Sequence, residues 1–259
     1  MDYSIDNRVY EPSKLEYPII HITQSWTILQ KIVLEGFKPS YCTESLSNND
    51  KEITAAFPMI SFTNMSVEDA KNLLKSYGTL AIAMKKSWGA EHKLNPVLYL
   101  DRSSELTNHI INAFNFINHS PSWRIEPAVF GRHVDHKGYL IKTLIDLFSY
   151  SKNYDGKLIR SDTRIREDYR FGLEREWRYI VRDERYPPFL IGEKIDQKQV
   201  YNDMISHIRV DFEIKDIDTI VVETNYEVEE IKKILYTKYG PQIELPPIEI
   251  NPRRHIYEE

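Results

Sequence analysis

The order in which strand-like and helix-like segments follow one another constrains this chain more than any single motif. Tyr17–Thr23 reads as a short strand, and Ser25 then stands where a helix N-cap belongs. Trp26, Leu29, Ile32 and Val33 recur at helical spacing, and Gly36 occupies the expected stop. Phe57–Phe62 reads as a second strand, and Ser66-Val67-Glu68-Asp69 as a capped helix start that closes at Tyr77-Gly78. Thr79–Met84 and Val97–Leu100 are further strands, placed around a turn-rich insert over Lys85–Pro96. Ser103–Asn118 and Tyr139–Tyr150 have helical periodicity. Ile208–Phe212 and Thr219–Glu223 read as strands, and Val228–Tyr239 as an amphipathic helix stopped by Gly240. Lys38–Thr54, with Ser-Asn-Asn-Asp in its middle, and Ser151–Tyr169 read as exposed loops. Strands and helices do not alternate strictly, which predicts an α+β fold over a doubly wound one. No repeat, low-complexity tract or linker divides the chain. We therefore expect one domain over 1–259, with an N-terminal arm over 1–16 and an irregular, proline-rich tail over 241–259.

Composition narrows the function classes. At 259 residues and 41% hydrophobic the chain can bury a sizeable core. A net charge of −5 argues against a nucleic-acid binder held by bulk charge. Cys42, the only cysteine, excludes a disulfide framework and reads as a free thiol in a polar loop. No apolar run approaches the ~20 residues of a membrane span, and Met1–Lys14 has no signal-peptide pattern, so a cytoplasmic protein is expected. His133-Val134-Asp135-His136 has ligand-type residues but no third ligand nearby, and no metal is expected.

The run most suggestive of chemistry is Glu174-Arg175-Glu176-Trp177-Arg178, inside Leu173–Val181, which reads as a strand. Side chains alternate across a strand, so Glu174, Glu176 and Arg178 share one face, with Leu173, Trp177, Tyr179 and Val181 on the other. Two readings are open. The acids are a solvated face paired with Arg178, of little energetic weight. Alternatively, they form one wall of a pocket.

The pocket reading can be made concrete for NAD. When the N-glycosidic bond of NAD breaks, positive charge develops on the ribose, and a carboxylate beside it stabilises that charge. Glu176 suits that role, and Glu174 suits orienting or deprotonating the nucleophile. His21 and Thr23, i and i+2 on the first strand, share a face and can hydrogen-bond the cofactor. Phe62 or Tyr77 would supply the aromatic surface. Arg160, Arg164, Arg166, Arg170, Arg175 and Arg178 are a basic stretch able to meet phosphates, although Asp162, Glu167 and Asp168 dilute it. The order His21-x-Thr23, Phe62, Tyr77 and a late Glu176 resembles the His–Tyr–Glu layout of ADP-ribosyltransferases. That resemblance implies a split β-sheet core with flanking helices and NAD as substrate.

A closer resemblance runs through Phe57-Pro58-Met59-Ile60-Ser61-Phe62, Tyr77-Gly78, Lys86-Ser87-Trp88-Gly89 and Asn95-Pro96-Val97-Leu98-Tyr99. It continues through Glu174-Arg175-Glu176-Trp177-Arg178 and Asp216-Ile217-Asp218-Thr219-Ile220-Val221-Val222, with His21 and Gly36-Phe37 at its opening. These residues are similar to the AbiGi family of bacterial abortive-infection, phage-resistance proteins. The chain departs from the family pattern at Lys71 and Asn72, where members often carry His, and at Phe62-Thr63-Asn64, where they often read Phe-Cys-Asp. Two roles follow as expectations. One is an effector or toxin that uses NAD to modify a protein or nucleic-acid acceptor, or simply hydrolyses it. The other, closer to the family's antitoxin-like label, is a non-catalytic regulatory partner of a toxin.

Overall fold

The fold is taken from a computed structural model and is described for residues 17–70, 78–119, 136–159 and 165–251. In chain order the first elements are β1 (Ile19–Thr23), α1 (Trp26–Glu35), β2 (Ser40–Ser47), β3 (Glu52–Asn64) and β4 (Leu80–Met84). Then come α2 (Lys86–Glu91), β5 (Asn95–Pro96), β6 (Leu98–Leu100), α3 (Glu105–His119), α4 (His136–Ser149), β7 (Ser151–Asn153), β8 (Gly156–Ile159) and β9 (Ile165–Tyr169). The chain continues through β10 (Glu176–Ile180), α5 (Glu193–Asp196), α6 (Lys198–Met204), β11 (Ile217–Val222), α7 (Asn225–Tyr239) and β12 (Ile248–Ile250). An eight-stranded sheet runs β12-β11-β4-β1-β3-β10-β5, with β2 also paired to β3. Its pairings are antiparallel except β11 with β12, so the sheet is mixed and the chain is α+β.

Local chemistry starts and stops the helices as the sequence implies. Ser25 accepts from the Ile28 N–H and caps α1, while α7 starts at Asn225, three residues before the Val228 read from the sequence, on a Thr224–Glu227 capping box. Ser66 accepts from the Asp69 N–H where a helix begins at residues 67–70. Gly36 ends α1 at φ +90, with Val210 packed against it: a Cβ there would stand 2.9 Å from the Val210 carbonyl. That approach lets Phe37 and Val210 exchange backbone hydrogen bonds of 3.0 and 2.8 Å.

The two sheet faces carry different cores. Ile60 and Phe62 of β3, Ile82 and Met84 of β4, and Ile220 and Val222 of β11 pack beneath α1 and α7, against Leu29, Val33, Ile231 and Leu235. On the other face, Leu46, Ala55 and Phe57 pack against α3 and α4 through Ile111, Ile145 and Phe148. Ile20, Ala81, Ala83 and Val221 form a smaller cluster on that same side.

Several sequence expectations are corrected here. Lys38–Thr54 is largely a β-hairpin: β2 pairs β3 over its whole length, and the Asn48 side chain closes the turn by accepting from the Asp50 and Lys51 N–H groups. Its polar sequence disguises a strand paired on one edge. Cys42 accordingly lies on β2. Ser151–Tyr169 contains β7, β8 and β9, with Asn153 of β7 bonded through its side chain to Ser47. The insert over Lys85–Pro96 contains α2, whose Trp88 is buried. Ile208–Phe212 contributes an isolated bridge at Val210, since Val210 and Phe212 are held by core burial without a ladder. In the tail, Ile248–Ile250 adds to β11 as a parallel strand. Leu173–Val181 is a strand only from Glu176: Phe171–Glu174 is a 3-10 turn, and Arg175 is left-handed at φ 47.

Candidate functional site

β1 and β3 pair at Ile19 and Ile20 only, while β1 stays paired with β4 through Thr23. Past Ile20 the two strands part, and the His21 ring bridges the gap by donating from Nδ1 to the Ser61 carbonyl (2.9 Å). The split opens a cleft of about 250 Å³, lined by residues 20–22 of β1 and 61–63 of β3, with Glu44, Lys152, Glu174 and Glu176.

Buried ions form one wall. Glu174 and Glu176 are each 6% exposed and Arg178 is 0% exposed, which rules out a solvated strand face. Glu176 and Arg178 lie opposite Thr63 and Ser61 in the β10–β3 register, on the α4 side of the sheet. Glu176 Oε1 accepts from Ser61 Oγ (2.8 Å) and Arg178 Nε (2.8 Å). Its Oε2 accepts from Lys152 Nζ (2.9 Å) and Arg178 Nη2 (3.2 Å). Arg178 also pairs with Glu44 (3.0 Å) and donates to the Ser149 carbonyl (2.6 Å), which ties the end of α4 to the sheet. Tyr99 OH accepts from the Glu176 N–H (2.8 Å).

Glu174 reaches the same cluster from the 3-10 turn. Thr63 Oγ1 donates to its carbonyl, and Lys152 Nζ donates to its Oε2 (3.0 Å). Its Oε1 has no hydrogen-bond partner among the described residues.

The two acids differ in charge. Burial opposes ionisation of Glu176, but Arg178 and then Lys152 outweigh it and hold the carboxyl well below the usual range. Burial, reinforced by the charges of Glu176 and Glu44, pushes Glu174 up to about 9. Glu174 is therefore a neutral acid at pH 7, and its contact with Lys152 is an ammonium hydrogen bond to an uncharged carboxyl. Glu44 and Glu176 then balance Lys152 and Arg178.

The remaining residues singled out from sequence are distributed as follows. His21 and Phe62 line the cleft, but their rings belong to the opposite face, where His21 contacts Phe37 and Phe62 edge-on at 5.5 and 5.6 Å. Burial lowers the pKa of His21, so the ring is neutral at pH 7. Thr23 is buried at the end of β1 and its hydroxyl accepts from the Ser25 N–H. Trp88 is buried in the core, and half-buried Trp177 packs on the same core beneath the Lys86 ammonium. Tyr77, His133 and Asp135 lie outside the described residues, as do Arg160 and Arg164. Among the described residues no group of three or more His, Cys, Asp or Glu is arranged to hold a metal, and no helix is long and apolar enough to cross a membrane. Sequence reasoning missed Glu44, Ser61 and Lys152, two of which lie in segments that read as loops. The available signal was Cys42 and Leu46 set against Thr43 and Ser45 at a period of two, a pattern that Tyr41 and Glu44 interrupt.

No curated protein and no solved structure matches the chain. Residues 35–223 match the family described as abortive phage resistance protein AbiGi, antitoxin, a span that takes in the hairpin, the ionic cluster and β11. With most of its length inside that match, the chain belongs to the AbiGi family of abortive phage resistance proteins.

Proposed function

We propose that this protein is the antitoxin of an abortive-infection pair, a non-catalytic partner that binds and restrains a cognate toxin. The observation that carries this reading is the state of Glu176. A carboxylate offers about four lone-pair directions, and Ser61, Lys152 and Arg178 (twice) take them all. No direction is left for a substrate, so Glu176 acts as the centre of a buried ionic knot joining β3, β7 and β10. The test is co-expression with the product of the adjacent gene: the two proteins should co-purify, and this chain should relieve the partner's toxicity. Separate purification together with undiminished toxicity would overturn the proposal.

A second reading is favoured by one observation: His21, Phe62, Glu174 and Glu176 line one cleft. On it, the protein is an ADP-ribosyltransferase-like effector with NAD as substrate and a protein or nucleic-acid acceptor. Incubation with NAD labelled in the nicotinamide and adenylate halves separates the readings. Nicotinamide release or label transfer supports the effector, and intact NAD supports the antitoxin.

A further inference from the structure

The cleft at the β1–β3 split contains a buried carboxyl oxygen that no described residue satisfies. Glu174 is 6% exposed and lines the cleft, and its Oε1 has no hydrogen-bond partner among the described residues. Buried polar atoms are nearly always paired, so an orphan beside a cavity points to a missing partner; on the neutral acid Oε1 carries the proton, and once that proton leaves it is an acceptor in need of a donor. The surrounding charges specify its kind. Glu174 is faced by Lys152 from β7, Glu176 and Arg178 from β10, Glu44 from β2 and the Thr63 hydroxyl from β3. Among the described residues three carboxyls thus meet two cations, and that set is one positive charge short when all three acids are ionised. Glu44 also lines the cleft, and Ile20 and Ile22 give it an apolar wall.

We propose that this cleft is a binding site for a guanidinium or primary ammonium group, which donates to Glu174 Oε1 and supplies the missing charge. The alkyl stem of such a group lies along Ile20 and Ile22 while its head meets the carboxyls, as long basic side chains do elsewhere. Binding is an exchange: the cation enters, the Glu174 carboxyl ionises, and its proton leaves to solvent. The inference rests on the cleft alone and is independent of the antitoxin reading.

Isothermal titration of the full chain near neutral pH, in two buffers of different ionisation enthalpy, tests it. The probes are N-acetyl-arginine-methylamide, methylguanidinium and, as neutral isostere, N-acetyl-citrulline-methylamide. The expected result is binding of both cations with release of about one proton per ligand, and citrulline weaker by about tenfold or more. Glu174→Gln should weaken the cations by about tenfold and abolish proton release. Ile22→Trp, which fills the cleft and leaves the charges intact, should also block them. Tighter binding of the capped arginine than of methylguanidinium assigns the site to a side chain of a protein partner, and the reverse order to a free small cation. Absence of binding by either cation, equal binding of citrulline, or unchanged binding in the folded Glu174→Gln variant would overturn the proposal.

Discussion

Glu176→Gln is the sharpest perturbation of this protein, because it changes one atom and one charge at the centre of the ionic cluster. Both oxygens of Glu176 accept from Arg178, through Nε at 2.8 Å and Nη2 at 3.2 Å. Whichever way the new amide is turned, its NH2 faces a guanidinium N–H, donor against donor. Arg178 is 0% exposed and cannot turn to water for compensation. Breaking a buried ion pair by removing one partner costs about 3–5 kcal/mol. For a chain of this size, at about 2–4 °C per kcal/mol, that lowers Tm by roughly 6–20 °C. Some of the loss is recovered through Glu174: with the Glu176 charge gone, the pKa of Glu174 falls from about 9, while burial, the larger cause, still opposes its ionisation beside Lys152. Calorimetry measures the first effect, and a carboxyl-carbon NMR titration of glutamate-labelled protein the second. Glu174→Gln is the control, since an amide replaces a carboxyl that is already neutral in the folded protein at pH 7: it should be at least as stable as wild type there, and within about 1 kcal/mol of it below pH 4.5, where the unfolded carboxyl is neutral too. A Glu176→Gln protein that melts within about 2 °C of wild type, or one in which Glu174 still titrates near 9, refutes this account of the cluster. The same result bears on any activity assay, because loss of function in Glu176→Gln reports catalysis only if the variant remains folded.

The remaining predictions concern pH, backbone and thiol. Glu174 has a folded pKa raised from 4.5 to about 9, so the folded state binds the extra proton between those values and stability falls as pH rises through that window. Denaturant titrations should show Glu174→Gln gaining on wild type by up to about 1.4 kcal/mol per pH unit across it, whereas a constant difference would contradict the shift. Gly36→Ala places a Cβ at φ +90, 2.9 Å from the Val210 carbonyl, and should destabilise by at least about 1–2 kcal/mol in urea unfolding; an unchanged midpoint would contradict the packing. The Cys42 thiol is pushed up by burial, so it should react with a disulfide reagent at pH 7 more slowly than a free cysteine and speed up on unfolding. Reaction at the unhindered rate in the folded protein would show that the thiol is not held within the hairpin.

Much of the helical framework is legible in the chain because it is determined locally. Ser25 and Gly36 act on backbone groups within one turn, and the apolar spacing of α1 and α7 follows from a 3.6-residue period. The strands were harder to read wherever their residues are polar. β2 and β7 look like loops because Glu44, Asn153 and Lys152 are satisfied by side chains distant in sequence, which no local pattern records.

The candidate site divides the same way. Adjacency of Glu174, Glu176 and Arg178 is a property of the sequence, and so is the membership of Trp177 on the other face. Tertiary structure decided that Glu174 sits off the strand in a 3-10 turn, that Arg178 is buried, and that Lys152, Glu44 and Ser61 complete the cluster. It also decided the charges. Two glutamates that are chemically alike in the sequence become one ionised and one neutral acid, because both are desolvated and share Lys152, but only Glu176 is placed to bond Arg178.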